Sequence, residues 1–303
     1  MNKKFIGFLV ALFVLAAGWQ VTRSFWTEEE KQLRSQIRNG FEQQFSDEIK
    51  LSRKRFGIEP FNPHRADARH VVLIHGLDDP GKVWMNLAPT LAELGHNIWI
   101  TTYPNDQPVK ESAAFFYEQL LHLKQQGVSD VTVIAHSMGG LVSREVLTHP
   151  DTSCSTNQCN RSHISLLIMV GTPNHGSELA RFRTFAEIRE QTSRLLEGDV
   201  HWLDWISDGA GEAGIDLLPD SLFLQELNLR PLPQNTDFFI IAGVVADQED
   251  IGDTLVSLDS AMLEGVPFEI VPGNHLSIIR NVSETSQRVP PAIPVITKLL
   301  ETY

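Results

Sequence analysis

Ser137 stands in Ala135-His-Ser-Met-Gly-Gly140, at the point where an apolar run from Val131 to Ala135 gives way to a helical pattern. A serine on a tight strand-to-helix turn needs small neighbours, because the turn presses its backbone against adjacent elements, and its hydroxyl then projects beyond the sheet edge. Such a hydroxyl can attack an acyl carbon if a base removes its proton and N–H donors receive the oxyanion. The first position is Ala135 rather than the commoner glycine, and alanine is still small enough for this packing. A base is offered by Pro272-Gly-Asn-His275, which follows directly on the apolar run Phe268 to Val271. An acid to orient that base is offered by Asp247, Glu249, Asp250 or Asp253, all after the run Phe238 to Ala242. Of these Asp253 is preferred, with Asp247 next.

The elements that must position these residues alternate along the chain. Short β-branched runs predict strands at His70 to Ile74, Asn97 to Thr102, Val131 to Ala135, Ser165 to Val170, Phe238 to Ala242 and Phe268 to Val271. Helical patterns fall between them at Val83 to Leu94, Glu111 to Gln126 and Met138 to Leu147, and a last helix at Ala292 to Leu300 carries Pro294 in its first turn. This rhythm predicts an α/β fold with a mostly parallel sheet and helices on both faces. Residues 176–235 break it with Trp202, Trp205, a glycine-rich segment and an apolar stretch that includes Leu218 and Phe223. They read as a helical cap insertion whose aromatic and apolar side chains either line an acyl pocket or form the cap's own small core.

A serine turn inside such a sheet resembles the α/β-hydrolase fold. In that fold the order along the chain is nucleophile, acid, then histidine, which favours His275 and sets aside His163, His175 and His201, because they precede every candidate acid. It also supplies the oxyanion donors from the residue after the nucleophile and from the loop after the first strand, here the amides of Met138 and Leu77. His75 then reads as a hydrogen-bonding strut for its loop, with Gly76, His136 and Gly139 as further supporting positions.

Four segments carry a closer resemblance. Ala135-His-Ser-Met-Gly-Gly140, Val170-Gly-Thr-Pro-Asn-His-Gly-Ser177, Asp216-Leu-Leu-Pro-Asp-Ser-Leu-Phe-Leu-Gln-Glu-Leu-Asn228 and Gly252-Asp-Thr-Leu-Val-Ser-Leu-Asp-Ser-Ala261 look like those of bacterial lipases and the related GPI inositol-deacylase-like esterases. The resemblance spans about Val71 to Arg280. It implies a serine ester hydrolase of the lipase or esterase type, with Asp253 as the acid, His275 as the base and no cofactor. It also implies that the Gly-Thr-Pro-Asn-His-Gly-Ser segment is a structural and cap-hinging feature. Thr254 stands where a glycine is common in those families. Acyltransferases with the same acyl-enzyme, and a non-catalytic tethered module that keeps the fold, are the rival readings.

The remaining features bear on location and partners. The chain has 303 residues, 42% hydrophobic and 21% charged, which suits one large domain with a short appendage. A net charge of −13 argues against nucleic acid as a partner. Lys3 and Lys4 precede an apolar run from Phe5 to Ala17, and the small residues Ala16 and Gly18 suit signal cleavage. Residues 1–25 therefore read as a secretory signal or an uncleaved signal-anchor, and either exports the body to the periplasm or the exterior. Residues 26–68 read as an extension with an amphipathic helix from Thr27 to about Lys50, striped by Leu33, Ile37, Phe41, Phe45 and Ile49. Residues 69–303 make the catalytic domain, acting on an acyl ester or lipid. Cys154 and Cys159 sit in a polar loop where an exported protein could join them as a disulfide. No histidine or cysteine cluster at ligand spacing marks a metal site.

Overall fold

The computed structural model describes residues 55–77, 81–152, 161–177, 212–245, 252–281 and 288–303, with residues 29, 31, 32, 34–36, 38 and 39 of a helix ahead of them. Seven strands form one sheet: β1 (Gly57–Pro60), β2 (His70–Ile74), β3 (Asn97–Thr102), β4 (Asp130–His136), β5 (His163–Val170), β6 (Asp237–Val244) and β7 (Phe268–Pro272). They lie in the order β1-β3-β2-β4-β5-β6-β7. All pairs are parallel except β1 with β3. The chain thus folds as an α/β protein with a mostly parallel sheet, as its strand and helix rhythm predicts.

The alternation of side chains along each strand sorts the core into two layers. Val72, Ile74, Val133, Ala135, Leu167 and Met169 face one side with Phe116, Leu120 and Leu141, from helices α2 (Val109–Gln125) and α3 (Met138–Thr148). Val71, Leu73, Ile134, Ile168 and Val170 face the other with Leu87, Leu91, Ile293 and Ile296, from α1 (Leu87–Glu93) and the last helix, α6 (Ala292–Thr302). Strands buried on both faces must be apolar at nearly every position, which is why β2, β4 and β5 are so legible in sequence.

The sequence places no strand before His70, and β1 is the correction. It is four residues long, ends in Pro60 and pairs only with β3, from Gly57 against Thr102 to Pro60 against Trp99. An edge strand this short buries little and carries almost no hydrophobic signal.

Between β5 and β6 the described part of the insertion contains α4 (Ala213–Asp216) and α5 (Leu222–Leu229), the latter capped by Ser221. The helical residues between 29 and 39 meet this region through charge. Lys31 pairs with Asp216, and Arg38 pairs with Glu111 at 2.7 Å and Glu212 at 2.8 Å. Asp216 also accepts the amide of Val109, the first residue of α2, at 2.9 Å. The apolar stripe expected of this helix lies outside the described residues, as do Cys154 and Cys159. Among the described residues no helix is long and apolar enough to cross a membrane. Residues 1–28, where the sequence places the export segment, are not among them.

Candidate active site

In this strand order the chain leaves β2 toward β3 on one side and toward β4 on the other. The carboxyl ends of β2 and β4 therefore flank a crevice, the place where open α/β sheets bind ligands. Ser137 is the single residue between β4 and α3, and Leu77 lies three residues beyond the end of β2.

Ser137 has φ 55° and ψ −130°, backbone that a non-glycine residue adopts at a cost on the order of 1–3 kcal/mol. Its surroundings enforce this geometry. The Ser137 amide donates to the Val170 carbonyl at 2.9 Å, and its own carbonyl accepts from Thr172 Oγ1 at 3.0 Å and from the Gly140 amide at 3.1 Å. Three glycines let the turn close. A methyl group on Gly76 would lie 2.6 Å from Ser137 Cβ, one on Gly139 2.5 Å from the Ile74 carbonyl oxygen, and one on Gly140 2.1 Å from Thr172 Oγ1. The serine side chain is left half-buried above the sheet.

Asp253 and His275 come together after β6 and β7. Asp253 Oδ2 lies 2.7 Å from His275 Nδ1, and both residues are buried. Its other oxygen, Oδ1, accepts the amides of Leu255 at 3.0 Å and Val256 at 2.8 Å, so the carboxylate is aimed by its own turn. The His275 amide donates to the Asp253 carbonyl at 2.9 Å, which couples the two backbones as well. A methyl on Gly171 would lie 3.1 Å from Asp253 Oδ2 and 3.2 Å from His275 Nδ1, so this glycine, at φ 59°, roofs the pair closely. Thr254 follows at φ 78°. This left-handed backbone explains why glycine suits that place, and a β-branched threonine holds it under strain.

The supporting residues are distributed around these groups. His75 Nδ1 donates to the Gly76 carbonyl at 2.9 Å, its ring lies 4.7 Å from that of Tyr103, and its carbonyl accepts the Tyr103 hydroxyl at 2.7 Å. His136 is buried beside Ser137, and its Nε2 donates to the His275 carbonyl at 2.9 Å. Burial, reinforced by His275, His75 and Arg280 nearby, holds its pKa well below the usual histidine range. Met138 opens α3, where helix amides have no partner within the helix. Among the described residues neither its N–H nor that of Leu77 donates a hydrogen bond. The amides of Leu77 and Met138 bond to no group among the described residues, a buried carboxylate orients an imidazole, and the serine is held above the sheet: together these groups can carry nucleophilic acyl chemistry.

Of the tentative pocket residues, Leu218 and Phe223 are both buried, and Phe223 belongs to the core layer of α2 and α3. Trp202, Trp205 and the alternative acids Asp247, Glu249 and Asp250 lie outside the described residues. Sequence reasoning missed Gly171 as the roof over Asp253 and His275. It also missed the use made of the following residues: Thr172 ties to the Ser137 turn, while Asn174 accepts from buried Arg144 at 2.9 Å and donates to the Ala261 carbonyl at 2.6 Å. The polar residues Thr172 and Asn174 carried the signal for these ties, and Gly171 carried none.

A family model described as a domain of unknown function (DUF7379) matches residues 107–256, a stretch that holds Ser137 and Asp253 and ends before His275. No curated protein matches the chain in sequence. Among solved structures, the mature lipase BlEst2 of Bacillus licheniformis is similar at 20% identity and a TM-score of 0.58, over 80% of this chain and 97% of that one. Phospholipase PlaB of Legionella pneumophila is similar at 18% identity and a TM-score of 0.57, over 78% of this chain and 60% of that one. An alpha/beta hydrolase fold protein of Burkholderia ambifaria is similar at 16% identity and a TM-score of 0.52, over 80% and 93% respectively. At such identities the likeness establishes the α/β-hydrolase fold.

Proposed function

We propose that the chain is a serine hydrolase of carboxylic esters, directed at acyl lipids, with Ser137 as nucleophile, His275 as base and Asp253 as the acid that orients it. The observation that carries this reading is the pairing of Asp253 Oδ2 with His275 Nδ1 at 2.7 Å in a buried site, in a fold whose strained turn between β4 and α3 presents Ser137. The carboxylate fixes the ring hydrogen on Nδ1 and leaves Nε2 free to accept a proton.

In the first half-reaction His275 Nε2 takes the Ser137 proton as Oγ bonds to the ester carbon. The Leu77 and Met138 amides receive the oxyanion, each such donor supplying roughly 3 kcal/mol. As the tetrahedral adduct collapses, the bond to the alcohol oxygen breaks and that oxygen takes the proton from His275. In the second half-reaction His275 deprotonates a water as it attacks the acyl carbon; the bond to Ser137 Oγ then breaks, Oγ takes the proton back from His275, and the acid leaves.

Support for a lipid rests on the neighbours described as a lipase and a phospholipase, and on an N-terminus patterned for export and membrane attachment. We read residues 1–25 as exporting the body to the periplasm or the exterior. A phosphatase that works only after export, fused to the C-terminus, should be active, and an inactive fusion at normal abundance overturns export.

The test of function assays the full chain and its Ser137→Ala variant on p-nitrophenyl esters from acetyl to palmitoyl. Ser137-dependent turnover that peaks at medium or long chains supports a lipid-directed enzyme. A peak at acetyl replaces that reading with a small-ester esterase. Absence of turnover, with no fluorophosphonate labelling of Ser137, overturns the hydrolase reading.

A further inference from the structure

We propose that His136 is a positioning residue that fixes the base: its Nε2–H grips the main chain of His275 and so ties the base directly to the residue that precedes the nucleophile. The inference rests on the reading of His275 as the base.

His275 follows β7, an edge strand separated from β4 by β5 and β6. Backbone pairing alone therefore reaches from nucleophile to base only through three strand interfaces. The His136 side chain bypasses them, with Nε2 2.9 Å from the His275 carbonyl oxygen and the two rings 4.7 Å apart. His275 is then held at three points. Its amide donates to the Asp253 carbonyl at 2.9 Å, its Nδ1 faces Asp253 Oδ2 at 2.7 Å, and its carbonyl accepts from His136. The first two set the base relative to the acid. The third sets it relative to Ser137.

The chemistry of the ring agrees with this role. A carbonyl oxygen only accepts, so Nε2 carries the hydrogen and Nδ1 is bare. That bare Nδ1 is buried and bonds to no group among the described residues. A second proton there would find no acceptor and would set a cation against the imidazolium that forms on His275 during turnover. An imidazole in so dry a place is therefore a neutral, single-purpose donor.

The test uses the full chain, p-nitrophenyl butyrate and a fluorophosphonate probe on wild type, His136→Phe and His136→Gln. Phenylalanine keeps the ring shape and removes the donor, while glutamine places an amide N–H at nearly the reach of Nε2. His136→Phe should lower kcat and the labelling rate about tenfold to hundredfold, as expected when a reacting group is misplaced by a fraction of an ångström to one ångström, with KM almost unchanged. His136→Gln should recover to within about threefold of wild type on the same reasoning. A Phe variant that labels and turns over like wild type overturns the inference. So does a Gln variant as slow as the Phe variant, since ring packing rather than the N–H would then matter. If the Phe variant does not fold, nitrogen-15 spectra of wild-type histidines decide: a hydrogen on His136 Nε2 supports the inference, and one on Nδ1 overturns it. A wild type that neither labels nor turns over overturns the esterase reading itself, and this inference with it.

Discussion

Asp253→Asn exchanges one oxygen for an amino group and keeps the side-chain shape. In the native site Oδ1 accepts two amides, from Leu255 at 3.0 Å and Val256 at 2.8 Å, while Oδ2 faces His275 Nδ1 at 2.7 Å. Asparagine has one acceptor oxygen, and the two amides compete with His275 for it. Turned toward His275, the side chain would set its N–H groups against two backbone donors, each buried unmet donor costing about 1–3 kcal/mol. The oxygen therefore stays with the amides, and the amino group faces Nδ1. That nitrogen must then accept, so the ring hydrogen moves to Nε2, the atom that has to receive the serine proton. A triad locked in the wrong tautomer loses about 10⁴-fold in kcat, equivalent to about 5 kcal/mol of barrier. The assay is kcat and KM on p-nitrophenyl butyrate beside thermal melting of both proteins. We expect kcat to fall by that factor with KM and the fold preserved, and Asp247→Asn to leave kcat unchanged. A folded Asp253→Asn enzyme within tenfold of wild type refutes the assignment of Asp253 to the base.

Three further outcomes follow from the same geometry. Thr254→Gly relieves an exposed β-branched residue at φ 78° and should raise stability by about 1 kcal/mol in denaturant titration with activity retained; a loss of stability would show that the turn is unstrained. Gly76→Ala places a methyl 2.6 Å from Ser137 Cβ and 3.0 Å from its Oγ, so kcat should fall at least tenfold because the nucleophile or its oxyanion loop must shift, and unchanged kinetics would mean that the loop yields freely. Glu212 is pushed by burial from 4.5 to about 7, against the pull of Arg38; between those values the folded protein holds a proton the unfolded chain has lost, so stability falls as pH rises through that window. Glu212→Gln should therefore match wild type near pH 4 and exceed it at pH 8 by up to about 3 kcal/mol, and a difference that does not grow with pH refutes this.

The parts of the molecule that were legible in sequence are those specified locally. β2 and β3 run over the spans their apolar patterns predict, His70–Ile74 and Asn97–Thr102, because strands buried on both faces leave no room for polar positions. The Ser137 turn announces itself for a related reason: a strained backbone between strand and helix demands small residues within three positions on the same stretch of chain. β1 was not legible, because a short antiparallel edge ending in Pro60 has no such demand placed upon it. The N-terminal helix was read through its apolar stripe, whereas the contacts described are ion pairs from Lys31 and Arg38 to acids up to 185 residues away, which no local pattern encodes.

The acid shows where local reading ends. Position alone offered four carboxylates between 247 and 253, the Gly252-Asp-Thr-Leu-Val-Ser257 resemblance singled out Asp253, and the groups that hold Asp253 in place are three-dimensional. Its own turn occupies Oδ1, Gly243 lets its Cβ approach the sheet, and Gly171 roofs its other oxygen from the end of β5. Gly243 and Gly171 belong to β6 and to the loop after β5, and neither carries a polar side chain. A residue that acts by being absent, like Gly171 over the Asp253 and His275 pair, leaves no chemical signature in sequence. Its substitution should therefore lower kcat although no reacting group is touched: the methyl of Gly171→Ala would stand 3.1 Å from Asp253 Oδ2 and 3.2 Å from His275 Nδ1, on backbone at φ 59°. The base and its acid would have to part, or the loop would have to move, and either response separates the proton acceptor from the serine it serves.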